Sequence, residues 1–405
     1  MIIVDHLKDN LPVIHLTRDI TKHLKRGHRW IFSDCFEYKE RMKSGLYELQ
    51  MRGVPVAIGI VQADTELRFR VLFLTDEKYY NKKKIKESLQ KYAAVEMQKA
   101  FNIRKYFRTS IQTSFRLISG EGDSLPGLIV DVYDDTAVIK HDHPIMFDVW
   151  DRKAIAEKII NEFPFIKVVY HKKRNDDENS KGENIIGELR SEVIFLENGV
   201  KFATNIRDAA KTGFFLDQRD NRKLLSQFTK DKSLLNLFSY TGGFSLFGAL
   251  GGASHIVSVD IAKKAIEACN RNFEVNEFKN KQEAIAIDAF QYIEDSVKSK
   301  QKFDIVVTDP PSFAPNQKAK QSATEAYIKV YSDSLKLVKD NGIFVASSCS
   351  SHITHPDFLD ICRESFSKVR KKGTMVYCGG QPFDHPYPLA MEELRYLKFA
   401  MFRLD

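Results

Sequence analysis

Five short segments in the second half of the chain are apolar at nearly every position, and the stretches between them, such as residues 262–277, have helical character. Apolar runs of this length predict strands that are covered on both faces of a sheet. The predicted strands lie at residues 234–238, 255–260, 283–288, 304–308 and 343–347. Strands that alternate with helices are typical of a doubly wound α/β domain, which we expect over residues 191–405.

The first part of the chain has a different pattern, in which short strand-like segments are separated by glycines. Over residues 1–75 this pattern predicts a small β-barrel. Apolar residues then recur at helical spacing over residues 82–107, and strand-like segments and a second helix at residues 149–163 follow. Residues 76–190 therefore predict a small α+β module.

The composition is that of a globular protein. The chain has 405 residues, of which 43% are hydrophobic and 29% are charged, and this length predicts two or three domains. No apolar run is long enough to cross a bilayer. The first residues lack the basic segment, the apolar core and the cleavage site of a signal peptide. We therefore expect a cytoplasmic protein without a membrane partner.

The net charge gives a first indication of the partner. A formal charge of +8 favours a polyanion, although mildly basic proteins are common. Basic residues gather over residues 22–30, which include Arg26 and Trp30. Such a loop beside a small barrel could hold RNA through phosphate contacts and base stacking. A solvated loop in which Trp30 fills the core explains the same residues equally well.

Cysteine usage gives no sign of a disulfide framework or of a metal site. The chain has five cysteines, an odd number, and no two of them have Cys-x-x-Cys spacing. We assign structural roles to Cys269, Cys362 and Cys378, because they fall within helical or strand contexts. Cys349 differs from these, because it follows the last predicted strand within a Ser-Cys-Ser sequence.

The turn after the first of the five strands has the features of a cofactor site. Its paired glycines let the backbone pass close to a ligand, but the turn lacks the G-x-G-x-x-G pattern and the Gly-Lys-Ser/Thr of a P-loop. Acids follow at the ends of successive strands. S-adenosylmethionine, which has a ribose and an adenine but no phosphate, suits this combination. We expect it to contact Phe238, Tyr240, Thr241, Gly242, Gly243, Asp260, Asp288 and Asp309. Any one acid alone is more simply explained as a helix cap.

Two further loops bring a carboxylate and a thiol to the same region of the predicted sheet. Asp309 begins an Asp-Pro-Pro sequence after one strand, and Cys349 follows the next strand. In an open parallel sheet both loops lie at the carboxyl edge, where ligands bind. A thiol and a carboxylate that face one pocket indicate nucleophilic chemistry on an electron-poor ring. A cysteine after a strand is more often a small buried hydrophobic residue, but the loop opposite favours catalysis here.

Six segments, which are modest singly and specific together, carry a resemblance that covers nearly the whole chain. They read HRWIFS at residues 28–33, DSLPGLIVD at 123–131, TGFFLDQRDNR at 212–222, DPPSF at 309–313, SCS at 348–350, and DHP with ELRYLK at 384–398. In these segments the chain resembles the cytosine-C5 methyltransferases that are similar to ribosomal-RNA large-subunit methyltransferase I. The resemblance implies an N-terminal PUA domain over residues 1–75, a central β-β-α-β-β-type module over 76–190 and a Rossmann-like class I methyltransferase domain over 191–405.

The resemblance also implies a donor, a partner and residue roles. The donor would be S-adenosylmethionine and the acceptor large-subunit ribosomal RNA. Cys349 would add to carbon 6 of a cytosine, Asp309 would hold N3 or the exocyclic amine, and Glu393 would be the general base. Gln218, Arg219 and Pro310 would join the cofactor site, and the RNA would contact Pro311, Phe313, Arg26, Trp30 and His385.

Three other functions stay open at this point. A nitrogen methyltransferase that acts on guanine or adenine would also use Asp-Pro-Pro and an aromatic residue, but it would have no use for Cys349. A non-catalytic RNA-binding or ribosome-assembly protein would not need an intact series of site residues. A small-molecule methyltransferase would need no basic N-terminal module. The target nucleotide and the oligomeric state, a homodimer included, stay open as well.

Overall fold

The computed structural model describes residues 2–4, 10–37, 42–173, 182–314 and 316–405. The chain divides into two compact units. The first comprises Met1–Val193, Asn205–Phe214 and Asp384–Glu392, and the second comprises Ile194–Thr204, Phe215–Phe383 and Glu393–Asp405. The boundaries proposed above at residues 75 and 190 stay a prediction.

The described residues at the start of the first unit form a five-stranded sheet with the order β1-β3-β4-β5-β2. Its elements are β1 (Val13–His15), α1 (Thr21–Lys25), β2 (Trp30–Phe32), β3 (Gly45–Met51), β4 (Val54–Val61) and β5 (Leu67–Leu74). Arg52 and Gly53, with φ of 51° and 79°, form the two-residue turn between β3 and β4. Positive φ at both turn residues suits the twist of a hairpin. The predicted N-terminal β-rich module is confirmed, and its closure into a barrel stays a prediction.

A second five-stranded sheet completes the described secondary structure of this unit, with the order β10-β9-β8-β7-β6. Its elements are α2 (Ile85–Arg104), β6 (Ser114–Ser119), β7 (Leu128–Tyr133), β8 (Thr136–His141), α3 (Arg152–Glu162), β9 (Val168–Lys172) and β10 (Glu183–Ile186). Strands β8 and β9 are parallel because α3 forms the crossover between them. The long helix predicted at residues 82–107 is α2.

Helix α2 contributes to the core of the first unit. Its side chains Leu89, Tyr92, Met97 and Phe101 are at most 2% exposed, and they belong to one cluster with apolar residues of both sheets. Burial of each large apolar side chain stabilises the fold by about 1.5–3 kcal/mol. The helical spacing of these residues therefore reports a buried face.

The segment Asn205–Phe214 is fixed to the rest of the first unit by polar contacts. The Thr212 hydroxyl donates to Asp131 at 2.5 Å and lies 2.8 Å from the hydroxyl of Tyr133. The ammonium of Lys172 donates to a backbone carbonyl of this segment at 2.6 Å. Burial lowers the pKa of Lys172 to about 8. The Thr-Gly-Phe motif recognised in the sequence thus begins in an anchored segment.

The second unit contains a two-stranded hairpin and a seven-stranded sheet with the order β15-β14-β13-β16-β17-β19-β18. Its strands are β11 (Val193–Glu197), β12 (Val200–Thr204), β13 (Ser233–Leu237), β14 (His255–Asp260), β15 (Lys281–Ala286), β16 (Phe303–Thr308), β17 (Val338–Ser348), β18 (Gly373–Gly379) and β19 (Lys398–Leu404). Its helices are α4 (Arg219–Ser226), α5 (Gly243–Leu250), α6 (Lys263–Asn276), α7 (Ala289–Lys298), α8 (Lys320–Leu335) and α9 (His355–Lys368). No helix in the described part of the chain is long and apolar enough to cross a bilayer.

The order of the strands in the large sheet reverses at β13. Strands β13 to β17 run parallel to one another, and the chain moves outward from β13 in one direction through β14 and β15 and in the other through β16 and β17. Open α/β sheets bind ligands at the carboxyl ends of the strands where the order reverses. The predicted α/β fold and its five strands are confirmed. Strands β18 and β19, which add an antiparallel edge, were not among the predicted strands.

A pair of buried histidines lies in the second sheet of the first unit. Nδ1 of His141 on β8 lies 3.2 Å from Nε2 of His171 on β9, and the residues are 2% and 0% exposed. Their other ring nitrogens have no hydrogen-bond partner within the described residues. Burial lowers the pKa of His141 to about 3 and that of His171 to about 4. Both rings are therefore neutral near neutral pH.

This pair should make the protein sensitive to acid. Below the ordinary histidine pKa of about 6.5, the unfolded chain binds protons that the folded pair does not, so stability falls as the pH falls. Between pH 7 and pH 5 the expected loss is about 2 kcal/mol for each ring. Replacement of His171 by Gln should remove part of this loss, measured as the change in urea midpoint between the two pH values. The exposed His23→Gln is the control, and an equal loss in all three proteins would contradict the prediction.

Candidate active site

The candidate site lies in the second unit, at the carboxyl ends of β13 to β17. Since these strands are parallel, the loops that follow them emerge at one edge of the sheet. Most of the predicted site residues occupy these loops. The others lie at the start of α4, in the segment before β19 and in the first unit.

The turn after β13 has a strained backbone. Phe238 and Tyr240 have φ of 57° and 48°, values that are uncommon for residues with a Cβ, and Gly242 has φ of 82°. The Asp260 carboxylate at the end of β14 accepts a hydrogen bond from the backbone of Tyr240 at 2.9 Å. This bond holds the turn against the end of β14 and thereby stabilises its left-handed residues.

Space restricts both glycines of this turn, and the positive φ of Gly242 restricts that position further. A Cβ on Gly242 would lie 2.4 Å from Sγ of Cys269, and one on Gly243 would lie 3.0 Å from the side chain of Arg222. Arg222 is held by two hydrogen bonds to Glu197, each of 2.7 Å. Burial raises the pKa of Cys269 to about 11, consistent with a structural thiol.

The acids at the ends of β14 and β15 differ in what they contact. Asp260 uses both oxygens, one for Tyr240 and one for the backbone of Ala262 at 2.9 Å. Asp288 caps α7 by accepting from Phe290 and Gln291, and both bonds go to Oδ1. The helix-cap interpretation is therefore realised at Asp288. A role in cofactor binding for either acid stays a prediction.

Asp309, just after β16, has a raised pKa. Removal of its carboxyl from water raises the pKa to about 6, and the Asp217 carboxylate adds to the shift, whereas hydrogen bonds from Ser347 and Gln218 oppose it. Gln218 donates to Asp309 at 3.0 Å and to the Ser347 hydroxyl at 2.8 Å. The Gln218 amide and the Ser347 hydroxyl donate to the Asp309 carboxylate, so these hydrogen bonds favour its ionised form.

The segment at the start of α4 is ordered by a chain of contacts. Asn221 donates to Gln218 at 2.7 Å and thereby orients its amide toward Asp309. The Tyr396 hydroxyl donates to Asp217 at 2.7 Å. Arg219 is buried and lies 5.9 Å from the ring of Phe383. The predicted residues Gln218 and Arg219 are thus both rigidly held, and Gln218 adjoins Asp309.

The loops that carry Asp309 and Cys349 are joined by hydroxyl groups. The Ser350 hydroxyl lies 2.8 Å from that of Ser312 and 2.8 Å from that of Tyr327 on α8. Cys349 is half-buried, as are the ring of Phe313 and the side chain of Glu393, while Pro310 is buried and Pro311 exposed. The Phe313 ring packs 4.8 Å from that of Tyr327.

The three remaining predicted residues belong to the first unit. Arg26 is exposed at the end of α1. The Trp30 indole donates to Glu121 at 2.8 Å and lies 6.0 Å from the guanidinium of Arg70. His385 is 2% exposed and lies 3.1 Å from the carboxylate of Asp384. Their roles toward RNA stay predictions.

The residues around the turn after β13 fit S-adenosylmethionine. The hydroxyl oxygens of Ser239, Thr241 and Thr308 are buried and have no hydrogen-bond partner within the described residues. Buried hydroxyls without partners are costly, and a ligand with ribose and amino acid groups would satisfy them. Among the described residues, no group of three or more His, Cys, Asp or Glu side chains is arranged to hold a metal ion.

Several residues of the site were missed in the sequence. They are Asn221, Tyr327, Ser347, Tyr396 and Lys398. Except for Tyr327, the only signal for them was their position inside or beside recognised motifs. Tyr327 lies in no motif and reaches the site from the buried face of α8.

Comparison with known proteins gives consistent matches. Residues 164–370 match the model of a family described as S-adenosylmethionine-dependent methyltransferase. The chain is 30% identical to a ribosomal RNA large subunit methyltransferase of Deinococcus radiodurans, over 95% of both chains. It is 29% identical to the ribosomal RNA large subunit methyltransferase I of Vibrio parahaemolyticus, over 95% of this chain and 97% of the relative. A crystal structure described as a methyltransferase complexed with SAH superposes with a TM-score of 0.84 at 25% identity, over 97% of this chain and all of that one.

The fit of the turn can be tested at Gly242. Gly242→Ala should weaken binding of S-adenosylmethionine about tenfold or more, because the added Cβ displaces the turn. Gly199→Ala is a matched control, since its φ is also positive at 87° but nothing lies within 4 Å of its Cβ position. Both variants should lose about 1–2 kcal/mol of stability from the left-handed backbone, with a further loss from the overlap at Gly242. Calorimetry and thermal denaturation measure the two effects, and equal affinities in the variants would contradict the prediction.

Proposed function

Because the chain belongs to the S-adenosylmethionine-dependent methyltransferase family, we propose that it methylates carbon 5 of a cytosine in large-subunit ribosomal RNA. S-adenosylmethionine is its methyl donor. The proposal contains three further parts: the RNA substrate, the atom methylated and the covalent role of Cys349.

Two observations support ribosomal RNA as the substrate. The relatives that match over 95% of the chain are named for large-subunit ribosomal RNA methylation. The chain also has a net charge of +8 and a basic cluster around the exposed Arg26, which suits a polyanion. In this proposal the first unit holds RNA, with Trp30 and His385 in the predicted binding region. The cytoplasm, where ribosomes lie, is the expected location.

One observation carries the choice of carbon 5. The Ser350 hydroxyl joins the loop after Asp309 to the loop that contains Cys349, so a thiol and a carboxyl stand on two hydrogen-bonded loops. Nitrogen methylation requires a group that holds the base, which Asp309 could supply, but it requires no thiol. Methylation of carbon 5 requires a nucleophile at carbon 6, and Cys349 is suited to that role.

The cofactor would be held by the turn after β13, which contains Gly242 and Gly243, and by Asp260 and Asp288 at the neighbouring strand ends. Gln218, Arg219, Phe238, Tyr240, Thr241 and Pro310 complete the proposed cofactor site. When bound, S-adenosylmethionine supplies an electrophilic methyl group. The unsatisfied hydroxyls of this turn would bind its polar groups.

The chain's own residues would carry the chemistry on the base. The Cys349 thiolate adds to carbon 6, which converts carbon 5 into a nucleophile for methyl transfer. Glu393 then removes the proton from carbon 5, and the electron pair released expels the Cys349 thiolate from carbon 6. The ionised Asp309 accepts a hydrogen bond from the exocyclic amine of cytosine. Pro311 and Phe313 flank the base, which must leave its stack to reach these groups.

The reaction and its site can be tested together by bisulfite sequencing of ribosomal RNA. Cells that lack this protein should lose one protected cytosine in the large-subunit RNA, and the wild-type gene should restore it. Cys349→Ala should not restore it, because the base is no longer activated at carbon 6. Calorimetry should show that purified Cys349→Ala still binds S-adenosylmethionine.

The control for this experiment is Cys378→Ala, which removes an exposed thiol on β18 and should restore protection fully. Protection restored by Cys349→Ala would remove the covalent mechanism. If nucleoside mass analysis instead found a methylated guanine or adenine, nitrogen methylation would replace the proposal. Absence of cofactor binding by the wild type would favour a non-catalytic RNA-binding protein.

The ionisation of Asp309 should appear in the pH dependence of methyl transfer. Its raised pKa of about 6 means that the ionised form is lost as the pH falls below that value, so the rate should fall about tenfold per pH unit there. Asp309→Asn should be much slower and should lack this limb. Asp304→Asn, at the other end of β16, is the control, because the pKa of Asp304 is lowered to about 2 and the limb should remain. If the rate of methyl transfer by Asp309→Asn also fell below the same pH, the fall would be due to the ionisation of another group.

A further inference from the structure

Lys398, the first residue of β19, contacts both sides of the Cys349 loop, one with its backbone and the other with its side chain. It is 0% exposed, and its backbone pairs with Ser348 in the sheet. Its ammonium donates to the carbonyl of Ser350 at 2.6 Å and to that of Tyr396 at 2.7 Å. One residue thus contacts the positions immediately before and after Cys349.

This buried ammonium makes no ion pair with a carboxylate among the described residues. Its hydrogen bonds go to two neutral carbonyls, and the neighbouring Asp357 is bound to Lys320 at 2.7 Å. A buried charge without a counter-charge costs several kcal/mol, so the surroundings favour any group that can become negative beside it.

Apart from Asp357, the other titratable groups around Lys398 are held neutral or carry positive charge. Burial, together with the charges of Arg395 and Lys398, lowers the pKa of His355 to about 4, so its ring is neutral near pH 7. Burial raises the pKa of Tyr327, so its hydroxyl stays protonated. Burial lowers the pKa of Lys398 itself to about 8, while Cys349 and Asp357 oppose that shift. Because Asp357 is engaged by Lys320, Cys349 is the group able to supply the missing negative charge.

We propose that Lys398 is a positioning residue for Cys349, whose ammonium fixes the loop through the Ser350 carbonyl and favours the thiolate as its counter-charge. The inference rests on the proposed function of Cys349 as the nucleophile, since only the thiolate attacks carbon 6. Above about pH 8 Lys398 loses its proton, and with it the positive charge that would favour the thiolate.

The ionisation of Cys349 can be measured without methyl transfer. The full-length protein is pulsed with iodoacetamide at a series of pH values, and alkylation of the Cys349 peptide is quantified by mass spectrometry. Lys398→Gln retains a hydrogen-bond donor but loses the charge, and its alkylation midpoint should rise by about one pH unit or more. At pH 7 this corresponds to roughly tenfold slower alkylation. Lys398→Arg retains the charge and should stay close to the wild type.

The exposed Cys378 is the internal control, since its alkylation in the same digests should be unchanged in every variant. A Lys398→Gln protein that is folded and has the wild-type Cys349 profile would overturn the inference. If Lys398→Gln melts below the assay temperature while Lys398→Arg is folded, the charge serves the fold instead of the thiolate, and the inference is also overturned.

The result separates this inference from the proposed function. Methyl transfer by Cys349→Ala would remove the covalent mechanism. A shifted alkylation profile in Lys398→Gln would still show that Lys398 favours the Cys349 thiolate. An unshifted profile together with an inactive Cys349→Ala would remove the role of Lys398 and leave the mechanism intact. Where both hold, Lys398→Gln should lower the rate of methyl transfer near pH 7 without weakening the binding of S-adenosylmethionine.

Discussion

The hydrogen bonds of Ser350 fix the distance between the two loops on which the proposed chemistry depends. Its hydroxyl contacts those of Ser312 and Tyr327, and its carbonyl accepts from the ammonium of Lys398. Each bond contributes about 0.5–1.5 kcal/mol, but in a buried network the bonds reinforce one another, and loss of one leaves its partners unsatisfied. The sheet brings the loops to one edge, and this network sets which side chains then meet.

Removal from water is the second constraint on the site, and it acts on acids and bases in opposite directions. It raises the pKa of Asp309 to about 6 and lowers that of Lys398 to about 8, so both values move toward neutral pH. Groups with such values are frequent in active sites. The same effect raises the pKa of Cys269 to about 11, which suits a structural thiol. In the proposed mechanism Cys349 differs from Cys269, because the Lys398 ammonium, bound to the Ser350 carbonyl, would favour its thiolate.

Much of the second unit could be predicted from the sequence, and the reason is local. The five strands are apolar because both faces of the sheet are buried. The paired glycines at Gly242 and Gly243 occur where the backbone lies close to neighbouring side chains. The capping alternative at Asp288 was also foreseeable, since an acid before a helix is a common cap. Strands β18 and β19 were missed although residues 375–378 and 399–402 are apolar runs. Their antiparallel pairing at the edge of the sheet depends on contacts that no local pattern specifies.

The sequence by itself determined the α/β fold, the glycine turn after β13 and the two loops with Asp309 and Cys349, because periodicity and spacing encode the environment of each residue. Tertiary structure alone decided the partners. Gln218 meets Asp309 across 91 positions, and Lys398 meets Ser350 across 48. Such contacts arise from the order of strands in the sheet, which no local pattern specifies. The charges that tune the site come from residues distant in sequence, so their effect appears only when the chain is folded.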